Sequence, residues 1–364
     1  MGTKLGIVGL PNAGKSTLFN ALTTGHAAVA PYPFTTTDRN VGVAPVDDPR
    51  LSALADSLKP ERVISTSVEF VDIAGLVKGA HEGEGLGNQF LSHVFGVDAL
   101  LHVVRCFDDG NVAHPMGSVD PVRDVEVINT ELMLKDLEVL GRRRERDQKL
   151  TKGGDKHAAH LLEHVERWSA ALAAGTPVRR VGLAPDAHPK AFGVDLLSAK
   201  PVLYAANVGE DALATGGAHV EALRAQAARE GAGLVVFCAK LEAELAELDA
   251  ADRAAMMREL GVAESALPQV IREGYALLRL LTFFTTASRI LQAWTVPQGT
   301  KAPQAAGVIH TDFEQKFIRA EVIQTEVLLR CGSEAAARAQ GLLRVEGKEY
   351  IVQDGDVIHF RVAP

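Results

Sequence analysis

The sequence predicts an α/β fold: a mostly parallel sheet covered by helices, interrupted by a helical hairpin and followed by a small α+β domain. Three observations predict it. A short apolar run, a glycine-rich loop and a helical segment follow one another at the amino terminus. Apolar runs of strand length then alternate with helical segments as far as residue 238, the pattern of buried parallel strands joined by helices. Two amphipathic stretches flanking Gly153-Gly154 break that alternation.

Lys4-Leu5-Gly6-Ile7-Val8 reads as the first buried strand. Gly9-Leu10-Pro11-Asn12-Ala13-Gly14-Lys15-Ser16 follows it, a full G-x-x-x-x-G-K-[ST] phosphate loop. Its glycines let the backbone curl so that successive N–H groups point at phosphate oxygens. In that pattern the lysine reaches the β and γ phosphates and the hydroxyl ligates Mg²⁺. Thr17-Leu18-Phe19-Asn20-Ala21-Leu22 opens a helix whose N-terminus favours anions. The first domain is therefore expected to be a P-loop NTPase domain. Glu69–Asp72, Ala99–Arg105, Pro201–Asn207 and Gly233–Cys238 read as further strands. Ligands of such sheets bind at the carboxyl ends of the strands.

Between 129 and 175, Leu132, Leu137 and Leu140, then Leu161, Val165, Trp168 and Leu172, recur at helical spacing. They predict an inserted α-helical hairpin. The basic run from Arg142 to Lys152 lies near its tip and reads equally as a contact for RNA or an acidic surface, or as a solvated helix face. His157, His160 and His164 share one helix face there, but no carboxylate or cysteine converges on them as a metal site requires. After Arg279, Leu280–Thr286, Val322-Ile323, Glu349–Val352 and Asp356–Val362 suggest strands, Gln353–Asp356 a turn, and Ser333–Arg338 a capped helix. The expected domains are 1–128 with 176–278 for nucleotide binding, 129–175 for the hairpin and 279–364 for the C-terminal module.

The 364 residues suffice for several cores, and the net charge of −8 sets up no global basic field, so DNA is not an expected partner. Cys106, Cys238 and Cys331 form no metal-spaced pair and fit reduced thiols. No apolar run approaches the roughly 20 residues that span a bilayer, so a membrane association is not expected and the cytoplasm is the expected location.

The later motifs narrow the chemistry. Asp72-Ile73-Ala74-Gly75 follows a strand; such an acid holds the Mg²⁺ shell through water, and the Gly75 N–H is placed to meet a γ-phosphate. The loop after Ala206 is where base recognition is expected. Asn207-Val208-Gly209-Glu210 stands there in place of the usual guanine-reading Asn-Lys-x-Asp. The longer Glu210 misplaces both acceptor oxygens, and Val208 lacks a lysine's stacking stem, so selectivity for guanine is expected to fall. Adenine's amino group would be met by Asn207 or by a backbone carbonyl. Cys238-Ala239-Lys240 would back the base, with Cys238 as a small packing residue.

Together these motifs resemble the YchF family of Obg-like ATPases, a branch of the translation-factor-related P-loop NTPases. The resemblance rests on Gly9–Thr17, Asp72–Ala80, Asn207-x-x-Glu210, Gly299–Phe313 and Asp354–Phe360, and spans essentially the whole chain. It implies that the C-terminal module is a TGS domain, that ATP binds and turns over to ADP, and that the ribosome or ribosomal RNA is a partner. It also implies that Thr36 completes the Mg²⁺ shell with Ser16 and Asp72, Thr35 and Thr37 being the alternatives. The nucleotide contacts it implies are Asn12, Ala13, Gly14, Lys15, Ser16, Thr17, Gly75, Asn207, Val208, Glu210, Cys238 and Ala239. Leu76 occupies the place where many switch GTPases carry a water-orienting glutamine. Slow turnover is expected, with Lys15 on the phosphates and His114 or His81 as the candidate water-activating group. Asn12 matches potassium-activated relatives, which makes K⁺ a second candidate cation. An alternative function is a nucleotide-sensing binding module whose ATP occupancy gates partner affinity.

Overall fold

The computed structural model describes residues 4–24, 41–73, 93–182, 187–213, 215–262 and 264–363. By internal contacts the chain forms two compact units: Met1–Val43 with Glu69–Gly274, and Ala44–Val68 with Tyr275–Pro364.

In chain order the strands are β1 (Lys4–Val8), β2 (Val41–Pro45), β3 (Arg62–Ile64), β4 (Ser67–Asp72), β5 (Ala99–Arg105), β6 (Val202–Asn207), β7 (Gly233–Phe237), β8 (Leu280–Thr285), β9 (Ile290–Pro297), β10 (Phe317–Gln324), β11 (Arg344–Glu346) and β12 (Asp356–Val362). The first sheet runs β2-β4-β1-β5-β6-β7. β4, β1, β5, β6 and β7 pair in parallel. Every residue of β5 and of β6 is buried, as a central parallel strand covered on both faces requires. The parallel order brings the carboxyl ends of β1, β4, β5, β6 and β7 to one edge, where the phosphate loop and the loops after Arg105, Asn207 and Phe237 gather.

Two long helices interrupt this sheet. Here α1 is Lys15–Thr24, α2 Pro49–Leu58, α3 Pro121–Lys152 and α4 Lys156–Ala173. α3 starts eight residues before the expected 129, because Asp120 caps it through the Arg123 N–H and Pro121 occupies its first turn. Gly153-Gly154 separates the two helices, and Asp155 caps α4 through the N–H groups of His157 and Ala158. Leu140, Leu161, Val165, Trp168 and Leu172 fill the seam between them. Two of the three histidines of α4 join an aromatic stack: His164 lies on Trp168, with ring centroids 5.6 Å apart, and His160 and His164 both meet Phe192, while His157 is exposed.

The second sheet runs β11-β10-β12-β8-β9-β3. Segment 44–68 was expected in the nucleotide domain, but β3 pairs in parallel with β9, and α2 packs Leu51 and Leu54 into a core with Phe284, Leu291 and Leu328. Glu349–Val352 forms no strand; Ile351 makes only an isolated bridge to Lys301. The turn at Asp354-Gly355 does form, with Gly355 at φ 82° and the Asp354 carboxylate accepting from the Thr282 N–H at 2.9 Å.

Candidate nucleotide site

The phosphate loop is shaped by three residues with positive φ: Gly9 at 152°, Asn12 at 62° and Gly14 at 98°. At both glycines a side chain would collide: a Cβ on Gly9 would stand 2.3 Å from the Val103 carbonyl oxygen, and one on Gly14 2.4 Å from Asn207 Nδ2. The curl is thus demanded by neighbouring strands as well as by the loop. Lys15 is buried, and its ammonium donates to the Leu10 carbonyl at 2.9 Å. Burial lowers its pKa to about 8, with Asp72 pulling partly the other way. Ser16 and Thr17 are exposed at the start of α1.

Ser16 Oγ donates to Asp72 Oδ2 at 2.8 Å, and Asp72 Oδ1 is buried without a partner among the described residues. A hydroxyl and a carboxylate with an unspent oxygen form the hard-oxygen set that suits Mg²⁺. Thr36, Gly75 and His81 lie outside the described residues.

Asn207 ends β6 and ties two loops together. Its Nδ2 donates to the Ala13 carbonyl, and its Oδ1 accepts from the Ala239 N–H, each at 2.9 Å. The amide spends one N–H and one oxygen lone pair on backbone, which positions the walls of the site, and keeps a second of each. Val208 is buried, and its N–H donates to Phe237. Glu210 turns to Lys240, with Oε1 and Nζ 2.9 Å apart. Cys238 packs with Leu241 and Leu245, and burial pushes its thiol pKa up, as an inert packing residue requires. A cleft of about 1230 Å³ opens between these loops, lined by Asn12, Gly14, Thr17, Val208, Glu210 and Ala239 among others.

His114 is held against Asp124 beside Leu10, Pro11 and Ala13 of the phosphate loop. Its Nδ1 accepts from the Met116 N–H at 3.1 Å, which leaves Nε2–H to donate to Asp124 at 2.9 Å. The neighbouring Ala113 carbonyl accepts from Asn12 Nδ2 at 3.0 Å. Both ring nitrogens are therefore engaged, and water activation would need the Met116 contact to open.

Arg105 was not singled out from the sequence. It is buried at the end of β5 and donates to the carbonyls of Phe107, Asp109 and Val112, with its guanidinium 4.6 Å from the Phe107 ring centroid. It shapes the loop that forms one wall of the cleft. The available signal was a charged residue closing an otherwise apolar strand. Lys240 was quoted only as part of its loop; its pairing with Glu210 requires the carboxyl ends of β6 and β7 to lie side by side.

A parallel sheet with a curled phosphate loop, a buried lysine, a Ser–Asp oxygen pair and a cleft at the strand ends defines a P-loop nucleotide hydrolase. Comparison with known proteins carries this further. Residues 4–140 match the family MMR_HSR1, "50S ribosome-binding GTPase", and residues 280–363 match YchF-GTPase_C, "Protein of unknown function (DUF933)". The chain is 50% identical over 361 residues to the "Ribosome-binding ATPase YchF" of Haemophilus influenzae, covering 99% of each, and 48% identical over 363 residues to that of Bacillus subtilis, again covering 99% of each. The solved "Structure of the Schizosaccharomyces pombe YchF GTPase" superposes with a TM-score of 0.88 at 35% identity, covering 99% of this chain and 97% of that one. The chain belongs to the YchF family.

Proposed function

We propose that this chain is a slow ATP-hydrolysing switch that associates with ribosomes. The base end of the cleft carries the nucleotide reading. Guanine recognition needs a carboxylate presenting paired acceptors to the guanine edge. Glu210 instead pairs with Lys240, while Asn207 gives one N–H to Ala13 and one lone pair to Ala239. Adenine's amino donor would be met by Asn207 Oδ1 or by a backbone carbonyl. The names of the bacterial relatives, which call them ribosome-binding ATPases, support both parts of this reading, whereas the fission-yeast structure is titled a GTPase.

In this reading the loop N–H groups and Lys15 hold the phosphates, and Ser16, with Asp72 through water, would hold Mg²⁺, whose positive charge would offset that of the phosphates. Asn12, whose Nδ2 is turned to Ala113, keeps its carbonyl oxygen for K⁺. Titration with ATP and GTP in magnesium buffer tests the nucleotide choice: ATP is expected to bind at least as tightly, and a strong GTP preference overturns the reading. Running the hydrolysis arm in K⁺ and in Na⁺ tests the cation, and equal rates remove it. Co-sedimentation with ribosomes in ATP, ADP and a non-hydrolysable analogue tests the partner.

His114 is our candidate for activating water: Asp124 fixes its tautomer and orients the ring, and Nδ1 becomes the base once the Met116 N–H contact opens. His114→Ala is expected to slow single-turnover hydrolysis on the order of a hundredfold while leaving nucleotide affinity within a few-fold. Unchanged turnover removes His114 from the chemistry.

A further inference from the structure

Asp124 lies in the first turn of α3, and its side chain is only 5% exposed. The helix dipole favours an acid there, but it asks for no burial, and Asp120 already caps the helix. Burying a carboxylate is costly unless fixed partners meet it. Asp124 has two such partners. Its Oδ2 accepts from His114 Nε2 at 2.9 Å, and its Oδ1 accepts from Arg123 Nε at 3.2 Å and Nη2 at 2.9 Å. The guanidinium is itself held, with Nη1 donating to Ser118 Oγ at 3.0 Å and Nη2 to the Ser118 carbonyl. One carboxylate oxygen therefore faces a cation and the other faces the imidazole.

A carboxylate has no hydrogen to give, so the ring nitrogen it meets must carry one. The Met116 N–H makes the same demand from the other side, because it needs Nδ1 as an acceptor. Both partners select the Nε2–H tautomer and leave a lone pair on Nδ1, the nitrogen that would take a proton from water. His114 and Asp124 border the same small cavity as Leu10, Pro11 and Ala13, and the Ala113 carbonyl is tied to Asn12. The ring is thus referenced to the loop that holds the phosphates. An imidazolium formed at Nδ1 would lie against a negative charge already in place.

We infer that Asp124 is a positioning residue of hydrolysis and that Arg123 fixes which of its oxygens serves His114. The inference rests on His114 as the water-activating group. It also predicts an effect of Arg123 that depends on what stands at position 124. In Asp124→Asn the amide offers one acceptor and one donor. The two N–H groups of Arg123 claim the oxygen, which turns the NH₂ towards His114. Nε2 must then accept, the hydrogen moves to Nδ1, and Nδ1–H confronts the Met116 N–H. The base is lost although the side chain keeps its size. Adding Arg123→Leu removes the competing donors. The amide oxygen can then turn to Nε2–H and restore the tautomer, though not the charge.

The test uses the full chain with ATP and Mg²⁺ in K⁺ buffer, without ribosomes. Asp124→Asn is expected to lower kcat about a hundredfold, with KM for ATP within a few-fold. The double variant should recover about tenfold of that loss, whereas two residues that merely brace the fold would lose more when both are removed. Arg123→Leu by itself leaves the acceptor in place and should cost less than Asp124→Asn. NMR of isotope-labelled histidine reads the tautomer, with the His114 signals assigned by their absence from His114→Ala. Nε2–H is expected in the parent and in the double variant, and Nδ1–H in Asp124→Asn. A parent in the Nδ1–H form, an Asp124→Asn protein with normal turnover, or a double variant no faster than Asp124→Asn overturns the inference. So does a loss of melting temperature and ATP affinity large enough to account for the lost turnover, which makes Asp124 a structural tie. Failure of the water-activating reading looks different: there His114→Ala itself keeps its turnover. Where His114→Ala loses turnover and Asp124→Asn keeps it, the inference about Asp124 alone fails.

Discussion

Lys15→Met is expected to leave a folded protein that no longer hydrolyses a nucleoside triphosphate, with a loss on the order of a hundredfold or more in turnover. The side chain is buried against the Leu10 carbonyl at the centre of the phosphate loop. Methionine keeps its length and apolar stem but removes the charge that offsets the phosphates. The thermodynamics should move the opposite way. Burial holds the folded-state pKa near 8, below the ordinary lysine value of 10.5, so the fold disfavours the charged form. That cost is fully present below pH 8. It fades as pH rises from 8 to about 10.5, where the unfolded chain binds more protons than the native one and stability climbs with pH. The variant escapes this cost, so at neutral pH its melting temperature should equal or exceed the parent's, and the difference should shrink towards pH 10. Phosphate contact restores the charge, so triphosphate binding by the parent should take up a proton above pH 8 and weaken by about tenfold per pH unit there. Calorimetric titrations at pH 7 and pH 9 read this directly. A parent whose affinity is flat across that range would contradict the assigned role, as would a methionine variant with normal turnover.

Asn207→Ala is expected to lose both stability and nucleotide affinity. The amide joins the Ala13 carbonyl to the Ala239 N–H, with both bonds buried. Removing it strands one buried acceptor and one buried donor, which together cost roughly 2–4 kcal/mol. The urea midpoint should fall accordingly. Because the two stranded groups belong to opposite walls of the cleft, the dissociation constant for the nucleotide should rise by at least about tenfold. Asn207→Asp separates packing from hydrogen bonding. It keeps the shape and the acceptor for Ala239, but it sets a carboxylate oxygen against the Ala13 carbonyl, and it should also bind poorly. A variant that is destabilised yet binds normally would reduce Asn207 to a purely structural tie.

How much of this was legible in the sequence depends on the range of the interactions involved. The phosphate loop, the strands ending at Asp72, Arg105 and Asn207, the paired helices around Gly153-Gly154 and the family resemblance were all readable. Each is written in local spacing: glycines where the backbone must curl, apolar runs where a strand is covered on both faces, a 3.6-residue repeat along a helix. The early start of α3 was also written locally, in Asp120-Pro121, but the leucine periodicity drew attention past it.

What the tertiary structure alone decided are the pairings between distant segments. Local propensity could not send Arg62–Ile64 to β9, or deny Glu349–Val352 a partner strand, because a strand exists only where another offers its hydrogen bonds. Nor could spacing reveal that Asn207 ties Ala13 to Ala239, that Glu210 is turned to Lys240, that Asp124 holds His114, or that Arg105 gathers three carbonyls. By itself the sequence determined which groups stand at the ends of the strands. Folding determined which of them remain free for a ligand, because a buried polar group must find a partner and the nearest one is often the protein's own backbone.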